Sequence, residues 1–229
     1  MDASALSHRL SELLGLIEPP VAVTFDAPGA TDNPNPVPPQ PAGCCFWGPA
    51  QHKRLDTVAN DHAHCSVGSY THGFIGLEQA AAGEDTAALV GSGWVSGADL
   101  MAAPALPFRP ASVTYQPLTE AEDPDVILAN LSPSALMTLL GAAPDLTLAR
   151  KPQCVLVPLA HSGQLAVSPG CAVSRTRTGL AADELTCAIP ARDLESLIER
   201  LESSTAADRA VSEYAAEDMV RNFATTSST

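Results

Sequence analysis

Basic residues are scarce in this chain. Lys and Arg number 12 against 26 Asp and Glu, for a formal net charge of −14. A phosphate backbone is held by clustered Lys and Arg, so nucleic acid is not an expected partner. Aromatic residues make up 4%, too few to supply base-stacking platforms. Apolar runs are short, well under the roughly 18 residues that span a bilayer, so no membrane partner is expected. The opening stretch MDASALSHRLSELLGLIEPP carries an early Asp and no basic leader, unlike a secretory signal. A cytoplasmic location is the expectation. Several templates are also missing. There is no GxGxxG and no P-loop. The absence of CxxC removes zinc-ribbon and thioredoxin-type sites, and no GxSxG elbow occurs. Gly91-Ser92-Gly93-Trp94 is too short for a phosphate cradle.

What is present suffices for a globular fold. The 229 residues are 45% hydrophobic, enough to bury a core without disulfides. Leu6, Leu10, Leu13, Leu14 and Ile17 fall on one helical face, with Asp2 or Ser4 as cap and Gly15 near the end. Val21, Val23 and Phe25 alternate as in a strand. Residues 26–43 hold six prolines and read as a long surface loop, of a kind often tied to function. A short helix is expected within 50–60, another at 77–83, and strands at 87–95, 111–118, 126–129 and 164–167. Ser132-Pro133 opens a helix, while 154–159 reads as strand or short helix. Leu194, Leu197, Ile198 and Leu201 mark an amphipathic helix, and 203–222 suggests a further one before a frayed tail. The expected fold is α/β or α+β, a mixed sheet with flanking helices and strand order open. Residues 1–203 form the expected globular domain, and 204–229 a C-terminal helix and tail.

The candidate chemistry lies in cysteines and histidines. In a reducing compartment six cysteines read as ligands, reactive thiols or core residues rather than as three disulfides. Asp61-His62-Ala63-His64-Cys65, followed by His72, gathers imidazole and thiolate, which suit zinc, copper and iron. An extended segment would turn His62 and His64 away from Cys65, whereas a helix would pair His62 with Cys65. Cys44-Cys45 follows the Pro-rich loop, with one thiol expected as ligand and the other as packing. Cys171 follows the turn Ser168-Pro169-Gly170. Arg175 and Arg177 beside it would either lower its thiol pKa or hold an anion. Cys154 and Cys187 sit in apolar runs that favour the core.

The segments PVAVTF at 20–25, Cys45 after the Pro-rich loop, HCSVGSYTHG at 64–73, PDVILAN at 124–130, Cys154, SPGCAVSR at 168–175 and IPARDLESLIERL resemble, in this order, the DUF169 (ArCR) family of prokaryotic proteins. The likeness spans about residues 10–201. It implies that Cys45, Cys65, Cys154 and Cys171 match recurrent cysteine positions, with Cys44 and Cys187 as extras, and that the histidines near Cys65 mark a subgroup. It implies no activity.

The leading expectation is a metal-dependent protein with an iron–sulfur cluster on Cys45, Cys65 and Cys171, with Cys154 or a histidine (His64 or His72) as fourth ligand. Such a centre suits redox or Lewis-acid chemistry on a small molecule. Alternatives are a mononuclear Zn or Cu site on His62, His64, Cys65 and His72, and a small-molecule binding module. A third is a metal-free thiol enzyme, with Cys171 or Cys65 as nucleophile, His64 or His72 as base and Arg175 holding an anionic substrate. A homo-oligomer stays open.

Overall fold

The computed structural model describes residues 2–27, 29–30, 37–149 and 152–223. In chain order it contains α1 (Ala3–Leu14), β1 (Val21–Phe25), β2 (Leu55–Thr57), α2 (Ser66–Thr71), α3 (Leu77–Ala81), α4 (Glu84–Gly91) and α5 (Gly97–Met101). Next come β3 (Val113–Pro117), β4 (Val126–Leu131), α6 (Pro133–Ala142), β5 (Thr147–Leu148), α7 (Leu156–His161), β6 (Ala166–Ser168), α8 (Ala172–Thr178), β7 (Leu185–Pro190) and α9 (Leu194–Phe223). The strands build one seven-stranded sheet in the order β2-β3-β1-β4-β7-β6-β5. Neighbours are antiparallel except β5 and β6, which run parallel. The fold is therefore α/β with a mixed sheet flanked by helices.

Strand alternation sends side chains to two cores. Ala22, Ile127, Ala129, Leu131, Cys187 and Ile189 face a layer made by α1, α6 and α9. Their neighbours Val21, Val23, Val126, Leu128 and Ala188 face the other way, against Phe46, Trp47, Tyr115 and α7. The period of two in a strand is the cause. The helical layer forms as its caps specify. Asp2 accepts the Ala5 N–H, Gly15 adopts the left-handed C-cap, and Ser132 accepts the Ala135 N–H ahead of Pro133. All the chemistry-bearing loops lie on the opposite face.

Several elements depart from the sequence expectation. The span 87–95 is mostly helix α4, with Glu84 and Asp85 in its first turn. A short apolar run carries no periodicity that separates strand from buried helix, and these two acids favour the helix N-terminus. Residues 50–60 hold no regular α-helix. Leu55–Thr57 pair with β3, and 3-10 turns stand on either side. The ambiguous stretch 154–159 is a 3-10 turn leading into α7. Nor do 194–201 and 203–222 form two helices. α9 runs unbroken for 30 residues, about 45 Å, because neither Gly nor Pro interrupts it. Its buried residues are Leu194, Leu197, Ile198 and Leu201, all in the first two turns. Of the Pro-rich loop, Pro28 and 31–36 lie outside the described residues, as does the tail 224–229.

Gly73 ties the loop after α2 to the segment before β3. Its φ is +76°, and a Cβ there would sit 2.2 Å from the Phe108 carbonyl oxygen. Gly73→Ala combines left-handed strain of about 1–2 kcal/mol with displacement of packed backbone, about 1–3 kcal/mol. The expected result is a loss of roughly 3 kcal/mol in urea unfolding. An unchanged midpoint would refute this account.

Candidate functional site: a buried cavity of four thiols

Four chain segments far apart in sequence meet on the face of the sheet opposite α1, α6 and α9. Cys44 lies in the 3-10 turn Gly43–Phe46, and Cys65 is the N-cap of α2. Cys154 lies in the 3-10 turn Gln153–Val155, and Cys171 is the N-cap of α8. All four line one cavity of about 40 Å³, which Ala42, Val67, Leu89, Trp94, Pro152 and Val173 also line. Cys44, Cys154 and Cys171 are buried and Cys65 is half-buried. All six cysteines are free thiols.

Each thiol is placed by its own turn. The Cys65 sulfur accepts the Gly68 N–H at 3.4 Å. The Cys171 sulfur accepts the Ser174 N–H at 3.1 Å, and Ser174 Oγ accepts the Cys171 N–H at 3.0 Å. This is a reciprocal capping box built on cysteine. Gly43 allows the first segment to approach, since a Cβ there would lie 2.7 Å from His62 Nδ1.

The thiols influence one another's charge. Cys44 donates its S–H to Cys45, and that bond raises its pKa well above the ordinary thiol value. Burial and the charges of Cys45, Cys154 and Cys65 add to the rise. Burial is the main cause for Cys154, and the charges of Cys65 and Cys171 push it the same way. Burial also raises Cys65, offset in part by the Gly68 N–H and by Arg177. Near neutrality these three groups are protonated. Removing their protons together needs a compensating cation, because like charges in a low-dielectric site oppose ionisation.

Cys45 is not in the cavity. Its sulfur lies 3.8 Å from the Arg177 carbonyl oxygen. The Cys44 hydrogen bond lowers its pKa to about 7, with help from Arg177. Within the vicinal pair, Cys44 takes the place expected for Cys45, since adjacent residues of a helical turn point in different directions. Cys187 lies in the opposite core behind the sheet, where burial pushes its thiol up to about 12.

The histidines do not join the thiols. His64 is exposed. His72 is fully buried, its Nδ1 2.9 Å from the Gly68 carbonyl oxygen and its Nε2 3.2 Å from the Tyr115 hydroxyl. A carbonyl only accepts, so Nδ1 carries the proton and Nε2 accepts from Tyr115. Neither nitrogen has a lone pair left for a metal or a substrate proton. Buried His62 donates from Nε2 to Thr57 Oγ1 at 3.0 Å, and that hydroxyl donates onward to the Val113 carbonyl. His62 Nδ1 has no hydrogen-bond partner among the described residues and faces Gly43. His62 and His72 thus belong to an aromatic core with Phe46, Phe74 and Tyr115. Arg175 is spent on the backbone. Its guanidinium donates to the carbonyls of Pro169, Ala181 and Glu184, pinning the loop from Pro169 to Glu184. Among the described residues, no three His, Cys, Asp or Glu side chains are close-set enough to hold a single ion.

Two residues at the site were not foreseen from the sequence. Ser174 shares only the N-cap-to-N3 spacing of a capping box with Cys171, because Cys and Ser stand where Ser or Thr and Glu or Gln are usual. Gln153, which accepts a hydrogen bond from Ser174 Oγ, had no local signal.

Fold and cavity together define a mixed-sheet α/β protein with a buried multi-thiol site. Residues 9–200 match the model of the DUF169 family, described as uncharacterised ArCR, and the chain belongs to that family. No curated protein and no solved structure matches the chain. No helix among the described residues is long and apolar enough to cross a membrane.

Proposed function

We propose that Cys44, Cys65, Cys154 and Cys171 bind an iron–sulfur cluster and that the protein serves redox chemistry. The observation that carries this reading is the convergence of four thiols from four separate segments on one apolar-walled cavity. A thiol buried singly is an ordinary small hydrophobe. Cys44, Cys65 and Cys154 are raised in part by neighbouring thiols, and a shared cation would offset that repulsion.

We read the four thiols as ligands of a cluster rather than of a lone ion. Zinc draws thiolates to about 2.3 Å around one point. A cluster offers separate irons to separate thiolates and accepts a wider ring. Four thiols match the four thiolates that a two-iron, two-sulfide core takes. Four thiolates complete the coordination of such a core, so electron transfer suits it better than Lewis-acid binding at an open iron. Free thiols also suit a reducing compartment such as the cytoplasm.

Protein isolated without oxygen is expected to be coloured by thiolate-to-iron charge transfer and to contain iron and acid-labile sulfide in equal amounts. A colourless chain that stays iron-free after anaerobic reconstitution with ferrous iron and sulfide would overturn the reading. Stoichiometric zinc without sulfide would do the same.

A further inference from the structure

Behind the cavity runs a buried chain of side-chain hydrogen bonds whose direction is fixed at every link. The Cys171 N–H donates to Ser174 Oγ at 3.0 Å. The Ser174 hydroxyl donates to Gln153 Oε1. Gln153 Nε2 donates to Thr186 Oγ1 on β7 at 2.6 Å, and the Thr186 hydroxyl is 3.4 Å from Asn130 Oδ1 on β4. Gln153, Ser174 and Thr186 are each at most 3% exposed. Ser174 has a single hydroxyl proton. The Cys171 carbonyl is a second acceptor at 3.0 Å, but Gln153 turns its Nε2 to Thr186 and so presents to Ser174 an amide oxygen that only accepts, which places the proton toward Gln153. That leaves Ser174 Oγ as an acceptor toward Cys171.

We propose that this relay makes Gln153 and Ser174 positioning residues that hold Cys171 and tune the electron density on its sulfur. The inference rests on the cluster reading above. Aligned hydrogen bonds polarise one another, and every donor in this chain points away from Cys171. The relay therefore fixes the capping box in which the Ser174 N–H reaches the Cys171 sulfur at 3.1 Å. Hydrogen bonds to cluster sulfurs help set the reduction potential, because they favour the more electron-rich reduced state. The relay also joins two ligand turns, since Gln153 immediately precedes Cys154. An apolar side chain would fill the same space without burying polar groups. A buried chain of this kind specifies one geometry, here the separation of the Cys154 and Cys171 turns.

The test uses the full chain, isolated anaerobically with its cluster. Gln153→Met keeps the volume but has no amide to accept or donate. Ser174→Ala cuts the next link. Each variant is expected to retain iron and to shift the midpoint potential downward, on the order of a tenfold change in the reduced-to-oxidised ratio, or 59 mV for one electron. The double variant should shift no further than either single one, because both cut the same chain. Ser174→Thr, which keeps the hydroxyl, should restore the wild-type potential. If the wild type holds iron and both single variants keep its potential, the tuning role is wrong while the cluster stands. Additive shifts, or no rescue by Thr, would also refute the relay. A wild type without iron removes the cluster reading and this inference together.

Discussion

Acidification from pH 7 toward pH 4 is expected to destabilise the fold by roughly 3 kcal/mol through His72 alone. Burial holds His72 from its ordinary 6.5 down to about 4, against a partial offset from the Gly68 carbonyl. His62 is held well below its ordinary value, first by burial and then by the nearby charge of His72. Between about pH 6.5 and about pH 4 the unfolded chain binds protons that the folded chain refuses. Stability therefore rises with pH across this window. It is intact above the unfolded value and falls progressively as the pH drops. The figure follows from the gap of about 2.5 pH units at about 1.36 kcal/mol each. His62 acts in the same direction. The ring centroids lie 5.2 Å apart, so a proton on one opposes a proton on the other. Urea unfolding near pH 7, 5.5 and 4.5 measures the slope. His72→Gln should reduce it. A slope that His72→Gln leaves undiminished would remove His72 as its source.

The second large effect separates two adjacent residues. Cys44→Ser is expected to lose most of the bound iron, and Cys45→Ser to keep it. Cys44 lines the cavity with Cys65, Cys154 and Cys171, and Cys45 does not. Serine is a poor substitute for a thiolate ligand. Its hydroxyl can still donate to Cys45, so Cys44→Ser should fold with a melting temperature close to that of the iron-free wild type. Iron per chain after anaerobic isolation is the readout. The resemblance of the segment after the Pro-rich loop pointed to Cys45. If Cys45→Ser proves to be the iron-free variant, the geometric assignment of the pair is wrong.

Much of the scaffold is legible in the sequence because its signals are local. Asp2, Gly15 and Ser132-Pro133 set helix ends through backbone chemistry that operates over a few residues. Val21, Val23 and Phe25 alternate because a strand presents one face to each core. The segment 87–95 misled because a four-residue apolar run fits either period, and Glu84 and Asp85 settle it one turn upstream. β2 forms because β3 offers it hydrogen bonds, which no local window contains.

The site divides in the same way. The sequence by itself placed Cys65 and Cys171 at turns able to present a thiol, and it marked Cys187 as a core residue. Those properties belong to the chain within a few residues of each cysteine. Tertiary structure alone decided that Cys44 rather than Cys45 faces the cavity, because the choice depends on how one helical turn docks against His62. It also moved Cys154 from an apolar run to the cavity wall and His62 and His72 into an aromatic core. Contact between segments as distant as 44, 65, 154 and 171 is set by the strand order of the sheet, and local spacing holds no record of that order.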